Sequence, residues 1–396
     1  MRGGFRRLRP LLPAILVGVL LAGCSTAAPD TPTPPPVATG AAPFPTPTVT
    51  PTPTVAQRAA DLVAAMTPEE RAGQVLMTAG TVEQLPGLAS SVSRFHLGGV
   101  MVRGRSGAGT AAVARALAPV RDAAPEGLPL LTATDQEGGT VQVLSGPGFS
   151  RIPSAVQQGR GSVASTRADA KTWGGQLAKA GVHLDLAPVA DVPCAADLHD
   201  NPPIAALDRQ YSSDPGTAGA HVAAFVTGMD ASGVDTAVKH FPGLGCVTGN
   251  TDTSAHVVDS VTTVDSVRLQ SFATGIDAGT GFVMVSSAQY SRIDPGVPAL
   301  FSSRIVQGLL RGQLGFSGVV MSDDVGGAAA VRAWSPAQRA VRFVRAGGDL
   351  LLDIQPGHLA SMHAALVSEA AHDPTFDAAL TDAATHVVEA RVRLAD

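Results

Sequence analysis

From position 75 onward, apolar residues fall in short runs at 75–78, 99–102, 130–134, 183–187, 236–239, 282–286, 319–322 and 350–352. Most are separated by stretches long enough for a helix and rich in Ala, Leu and Arg. Short apolar runs bounded by polar or glycine positions fit strands buried on both faces. Strands that alternate with helices imply a parallel sheet, and a count of eight favours closure into a barrel. An open doubly wound sheet is disfavoured, since no Gly-x-Gly-x-x-Gly follows the first strand. Upstream, 54–66 reads as a helix. Thr67-Pro68-Glu69-Glu70 then has the form of a second helix start, with Thr67 as N-cap, Pro68 in the first turn and Glu70 closing a capping box. The expected fold is α/β: a single TIM-type (β/α)8 barrel spanning 55–396.

Three of the runs end in charge. The run 130–134 leads into Asp135-Gln-Glu-Gly-Gly139, the run 234–238 into Lys239-His240-Phe-Pro-Gly243, and the run 319–321 into Ser322-Asp323-Asp324. Strand ends that deliver Asp135, Lys239, His240 and Asp323 to one mouth are how a barrel of this type builds an active site. Lys239 is one of only three lysines among 28 basic residues. Its compact three-donor ammonium therefore stands out from the chain's prevailing guanidinium.

The first 54 residues have a different character. Arg2, Arg6, Arg7 and Arg9 precede an apolar stretch from 11 to 22 that is too short for a spanning helix, and this reads as an export signal over 1–23. Leu21-Ala-Gly-Cys24 resembles the bacterial lipoprotein processing box. It implies cleavage before Cys24, lipidation of that residue and anchoring at the outer face of the cytoplasmic membrane. Residues 24–54 form a disordered, extended Pro/Thr-rich linker that cannot bury a core and serves as a spacer.

A net charge of −5 without a basic run argues against nucleic acid, and 4% aromatic content argues against a long aromatic-paved polysaccharide groove. A pocket for one terminal unit fits better. Cys194 and Cys246 both follow expected strands. Outside the cytoplasm they are reasonable disulfide partners, with two separate thiols as the alternative. The ten histidines show no metal-ligand spacing, and no cofactor fingerprint is present. No cofactor or metal is expected, and the protein is expected to be a monomer.

Eight motifs taken in order resemble glycoside hydrolase family 3, in particular its single-domain bacterial β-N-acetylglucosaminidases. They lie at 66–74, 96–100, 135–139, 186–192, 201–204, 208–215, 239–243 and 318–324. The resemblance implies an exo-acting retaining hydrolase for terminal β-linked N-acetylglucosamine, with Asp323 as the nucleophile. Asp135, Arg209, Lys239 and His240 would hold the sugar hydroxyls, and Lys239 and Arg209 would keep Asp323 and Asp135 ionised. Asp324 is expected to cap or pack behind the site. Glu137 is read as either a turn acceptor or a support for the site.

The sequence departs from the family where the acid/base is concerned. Single-domain members follow the Lys-His motif with a His-Gly pair and then an Asp-Ser-His element whose histidine is the general acid/base. Here Leu244 replaces the first histidine, and Ser254 falls where the second belongs. His256, with Asp252 as its orienting partner, is one candidate replacement; an exposed loop histidine is the other reading. Thr140 stands where the family usually has an arginine. No second domain is expected after Leu352, so the glutamate acid of larger members is not expected either. The alternatives are another β-sugar specificity or transfer to phosphate, a Schiff-base aldolase using Lys239, and a sugar-binding lipoprotein with a degenerate acid/base.

Overall fold

The structure, a computed structural model, describes Thr33, residues 53–194 and 198–395. The signal segment, Cys24 and all of the linker except Thr33, Pro53 and Thr54 lie outside the described residues. Eight parallel strands follow one another around a barrel: β1 (Leu76–Gly80), β2 (Gly99–Val102), β3 (Leu131–Thr134), β4 (Leu184–Asp185), β5 (Asp235–Phe241), β6 (Phe282–Val285), β7 (Val319–Ser322) and β8 (Leu351–Asp353). β8 pairs with β1 through Leu76↔Leu351. The last seam, between β7 and β8, is closed by the Met321↔Leu350 bridge and the Ser322 N–H to Leu350 C=O bond of 3.0 Å.

Strand side chains alternate between two cores, as a period of two requires. Met77, Met101, Leu131, Leu184, Phe282, Met284, Met321 and Leu352 fill the interior, and Val387 and Ala390 of the C-terminal helix Pro374–Arg393 join them. Val100, Val102, Val283, Val285, Val320 and Leu351 face outward under the helices. The barrel is thus a packed core rather than a pore. Arg391 on the same helix is fully buried. It donates to the Leu128 and Pro129 carbonyls (2.7 and 2.8 Å) and to the Gln74 amide oxygen.

Most strand boundaries differ from the sequence expectation by a residue or two, and two of them bear on the site. β4 covers only Leu184–Asp185, although backbone bonds continue beyond it, from the Leu186 N–H to the Thr134 carbonyl at 2.8 Å and from the Ala237 N–H to the Ala187 carbonyl at 3.1 Å. β5 is longer than 236–239, so Lys239 lies within the strand rather than at its end. Its pairing with β6 steps from Lys239↔Met284 to Phe241↔Val285, skipping a residue. Such a bulge re-aims side chains, and Lys239 and His240 both reach the mouth although they are adjacent. Both expected helix starts are present, with capping boxes Thr54/Gln57 and Thr67/Glu70.

Candidate active site

A cavity of about 490 Å³ lies at the C-terminal ends of the strands. Asp135, Arg209, Lys239, His240, Asp252, Asp323 and Asp324 line it, together with Met101, Leu186, Met284 and Leu352 from the barrel core. The three charge-bearing strand ends expected from the sequence therefore share one mouth.

The turn after β3 supplies the acidic side of a buried ion cluster. Gly138, at φ +101°, turns the chain tightly; a Cβ there would meet the Pro153 carbonyl at 2.3 Å, so only glycine fits. Glu137, held by this turn, accepts from Arg209 Nε at 2.8 Å and Nη2 at 2.7 Å, and pairs with Lys239 Nζ at 2.7 Å. Lys239 also donates to Asp135 Oδ1 at 2.6 Å. Burial alone would push the Glu137 carboxyl up, but the Arg209 and Lys239 charges outweigh it and hold the group well below the usual carboxylate range. For Lys239, burial works against the ammonium, and Asp135 and Glu137 more than offset it, so its pKa is raised. A Schiff-base nucleophile needs a neutral amine, and this lysine is held cationic. Glu137 is thus the anchor of the cluster rather than a turn acceptor.

Beneath the cluster, Asp185 is fully buried. Its Oδ1 accepts from the Gln136 N–H at 3.0 Å, and its Oδ2 has no partner. Burial pushes this carboxyl up to about 8. It sits under the site as a neutral acid.

His240 is more tightly engaged than a simple sugar contact would be. Its Nδ1 lies 2.7 Å from Asp191 Oδ2, and its Nε2 lies 3.3 Å from Arg209 Nη2. The network assigns Nδ1–H as the donor to Asp191 and leaves Nε2 to accept from the guanidinium. The imidazole thus orients Arg209. Asp191 Oδ1 also accepts from the Leu244 N–H at 2.7 Å, which ties the loop after β5 to the loop after β4.

Asp323 follows β7 directly, and its Oδ1 accepts from the Asp324 N–H at 2.9 Å. No ion pair with a described residue reaches its carboxylate. Of the two carboxylates that Lys239 and Arg209 were expected to keep ionised, Asp135 meets Lys239 directly, while Glu137 takes Arg209 and shares Lys239. Asp324 caps the loops behind the site. Its oxygens accept from the Gly326 N–H at 2.8 Å, the Gly327 N–H at 2.8 Å and the Ile354 N–H at 3.0 Å, and burial raises its pKa to about 6.

Asp252 lines the cavity and His256 does not, although both residues are exposed to solvent. No hydrogen bond joins the two. The expected Asp252–His256 pair is not formed because 253–256 continues outward along the loop toward the surface pairing of Val258 with Gln289. Cys194 and Cys246 form a disulfide, with Cα atoms 4.8 Å apart. It clips together the loops after β4 and β5.

Asp185 and Asp191 escaped the sequence reading. Each lies in or beside an expected strand, but an aspartate there carries no signal until its partners are known. Arg103, on the loop after β2, also lines the cavity, and its Nε is buried without a partner. Thr140, where an arginine was expected, is exposed and donates to the Leu207 carbonyl at 3.4 Å.

Residues 67–390 match the model of the glycosyl hydrolase family 3 N-terminal domain. A β-hexosaminidase of Xanthomonas campestris pv. campestris (strain B100) is 36% identical over 267 residues, which cover 65% of this chain and 77% of that protein. The crystal structure of a β-N-acetylhexosaminidase from Beutenbergia cavernae DSM 12333 is 50% identical, with a TM-score of 0.79 over 83% of this chain and 99% of the other. A glycoside hydrolase family 3 β-N-acetylglucosaminidase from Paenibacillus sp. str. FPU-7 is 27% identical, with a TM-score of 0.76 over 84% of this chain and 63% of that one.

Proposed function

Because the chain belongs to glycosyl hydrolase family 3, we propose that it removes terminal β-linked N-acetylglucosamine, as an exo-acting retaining β-N-acetylhexosaminidase. One observation carries the reading. The cavity holds Asp323, which directly follows a barrel strand and has no cationic partner among the described residues, beside a bank of paired charges built on Asp135, Lys239 and Arg209. Asp323 is the nucleophile: it attacks the anomeric carbon and forms a glycosyl ester that water opens. Asp135 Oδ2, a remaining N–H of Lys239 and the remaining N–H of Arg209 make charge-assisted bonds to sugar hydroxyls. The cavity volume suits a terminal sugar rather than a long chain.

Export and lipidation at Cys24 are part of the same proposal, with 25–54 as the spacer and a monomeric enzyme working outside the cytoplasmic membrane on wall fragments or glycans. The processing-box resemblance at 21–24 and the composition of the linker support it. Cys24→Ser should move the protein from the membrane to the soluble fraction. If the variant still sediments with membranes, the anchor is wrong.

The activity is tested with the full chain on aryl β-N-acetylglucosaminide and aryl β-glucoside, with and without inorganic phosphate. Hydrolysis of the first, free sugar as product and loss of turnover in Asp323→Ala are expected. Sugar 1-phosphate as product would make it a phosphorylase. Sugar binding without turnover would make it a binding lipoprotein.

A further inference from the structure

Building on the glycosidase reading, we propose that Asp252 is itself the general acid/base, giving and recovering the proton at the glycosidic oxygen with no histidine between.

The argument begins with what the other titratable groups at the cavity are doing. Asp135 is bound to Lys239. Both oxygens of Asp324 are taken by backbone N–H groups. His240 is locked between Asp191 and Arg209. Asp323 is the nucleophile. Asp252 remains, a carboxyl that lines the cavity and that no hydrogen bond or ion pair to a described residue engages.

The backbone carrying it is held from both sides. The Asp252 and Thr251 carbonyls accept from the Ala329 and Ala330 N–H groups at 3.2 and 3.1 Å, which fastens them to the segment that follows Asp323. The Asp252 N–H donates to Asn250 Oδ1 at 2.9 Å. On the other flank, Asn201 Nδ2 donates to the Leu244 and Val247 carbonyls at 2.8 and 2.9 Å, and Cys246 is tied to Cys194. A loop fixed in this way can present a proton at a reproducible place. Partial desolvation at the cavity mouth, then the neighbouring Asp323 charge, raises the Asp252 pKa although the residue is exposed, and Arg209 acts against the rise. A carboxyl with a raised pKa beside a nucleophilic carboxylate is placed to serve as the acid.

In the first step an Asp323 oxygen bonds to the anomeric carbon as the glycosidic C–O bond breaks. The leaving oxygen keeps the bonding pair and takes the Asp252 proton, departing as an alcohol. In the second step a water oxygen bonds to the same carbon, its proton passes to the Asp252 carboxylate, and the ester bond breaks to restore Asp323.

The full-length protein and its Asp252→Ala, Asp252→Asn and His256→Ala variants are compared on an activated aryl β-N-acetylglucosaminide and on N,N′-diacetylchitobiose. Asp252→Ala should lose about 10²–10⁴-fold on the disaccharide and much less in the first step on the aryl substrate. Added azide should restore turnover and yield β-glycosyl azide, which a merely structural role would not produce. The high-pH fall in wild-type kcat/KM should vanish in both Asp252 variants, and His256→Ala should behave as wild type. Equal loss on both substrates without an azide product would overturn the proposal, as would selective loss in His256→Ala. An active wild type beside an unimpaired Asp252→Ala would overturn this inference alone. A wild type that hydrolyses neither substrate would overturn the glycosidase reading and this inference with it.

Discussion

Glu137→Gln should unlock the ion cluster under the sugar site. The carboxylate accepts three charge-assisted bonds of 2.7–2.8 Å, two from Arg209 and one from Lys239, and its side chain is only 5% exposed. Glutamine keeps the shape and one acceptor, but it turns an N–H₂ toward donors and leaves Asp135, whose side chain is 25% exposed, as the carboxylate paired with Lys239. Removing one partner from a buried pair costs about 3–5 kcal/mol. The retained acceptor places this change near the lower end, about 3 kcal/mol at pH 7.

The sign of its pH dependence follows from the depressed pKa of Glu137. A carboxyl whose folded pKa lies below its unfolded value of about 4.3 stabilises the fold fully above that value. The stabilisation is lost as pH falls through the folded pKa. The gap between wild type and variant should therefore be equal at pH 7 and pH 5.5 and shrink below about pH 4. Urea unfolding of both proteins across this range reads it as a shift in midpoint at constant slope. A gap under about 1 kcal/mol at pH 7, the range of exposed pairs, would refute the reasoning. So would a gap that widens on acidification.

The buried neutral acid should behave in the opposite way. Asp185→Asn mimics the protonated form, so it should stabilise the fold by up to about 4 kcal/mol at pH 7. The gain should be absent below about pH 4, grow as pH rises toward the folded value of about 8 and then level off; thermal melts along a pH series measure it, and a pH-independent effect would contradict the assignment. Arg391→Met should cost about 2–4 kcal/mol, since it strands the Leu128 and Pro129 carbonyls and the Gln74 amide oxygen in a dry interface; chemical denaturation at neutral pH checks it. Reduction of Cys194–Cys246, which closes a separation of 52 residues, should cost up to about 4 kcal/mol. Because the bond clips the loop that carries Asp252, kcat should fall more than substrate affinity in a Cys246→Ser variant; unchanged kinetics would separate the bond from the site.

The barrel was legible in the chain because its determinants are local. Eight short apolar runs, helical spacers and the capping box at Thr67 each act within a few residues, and burial of both strand faces leaves a short unbroken apolar run. The strand ends carrying Asp135, Lys239 and Asp323 were visible for the same reason, since an abrupt change from apolar to charged is a one-dimensional signal. Which charge meets which was not. Glu137 and Asp323 are both carboxylates near a strand end, yet one is locked by two cations and the other is left without one; contacts with Arg209, 72 residues away, and with the still more distant Lys239 made that choice. The chain likewise offered His256 as the nearest proton carrier to an empty slot. Loop ties to Ala329, Asn201 and Cys194 instead bring Asp252 to the cavity and leave the histidine in solvent. Local propensity specifies the strands and helices, whereas the state of each ionisable group depends on burial and on partners that only the closed barrel assembles.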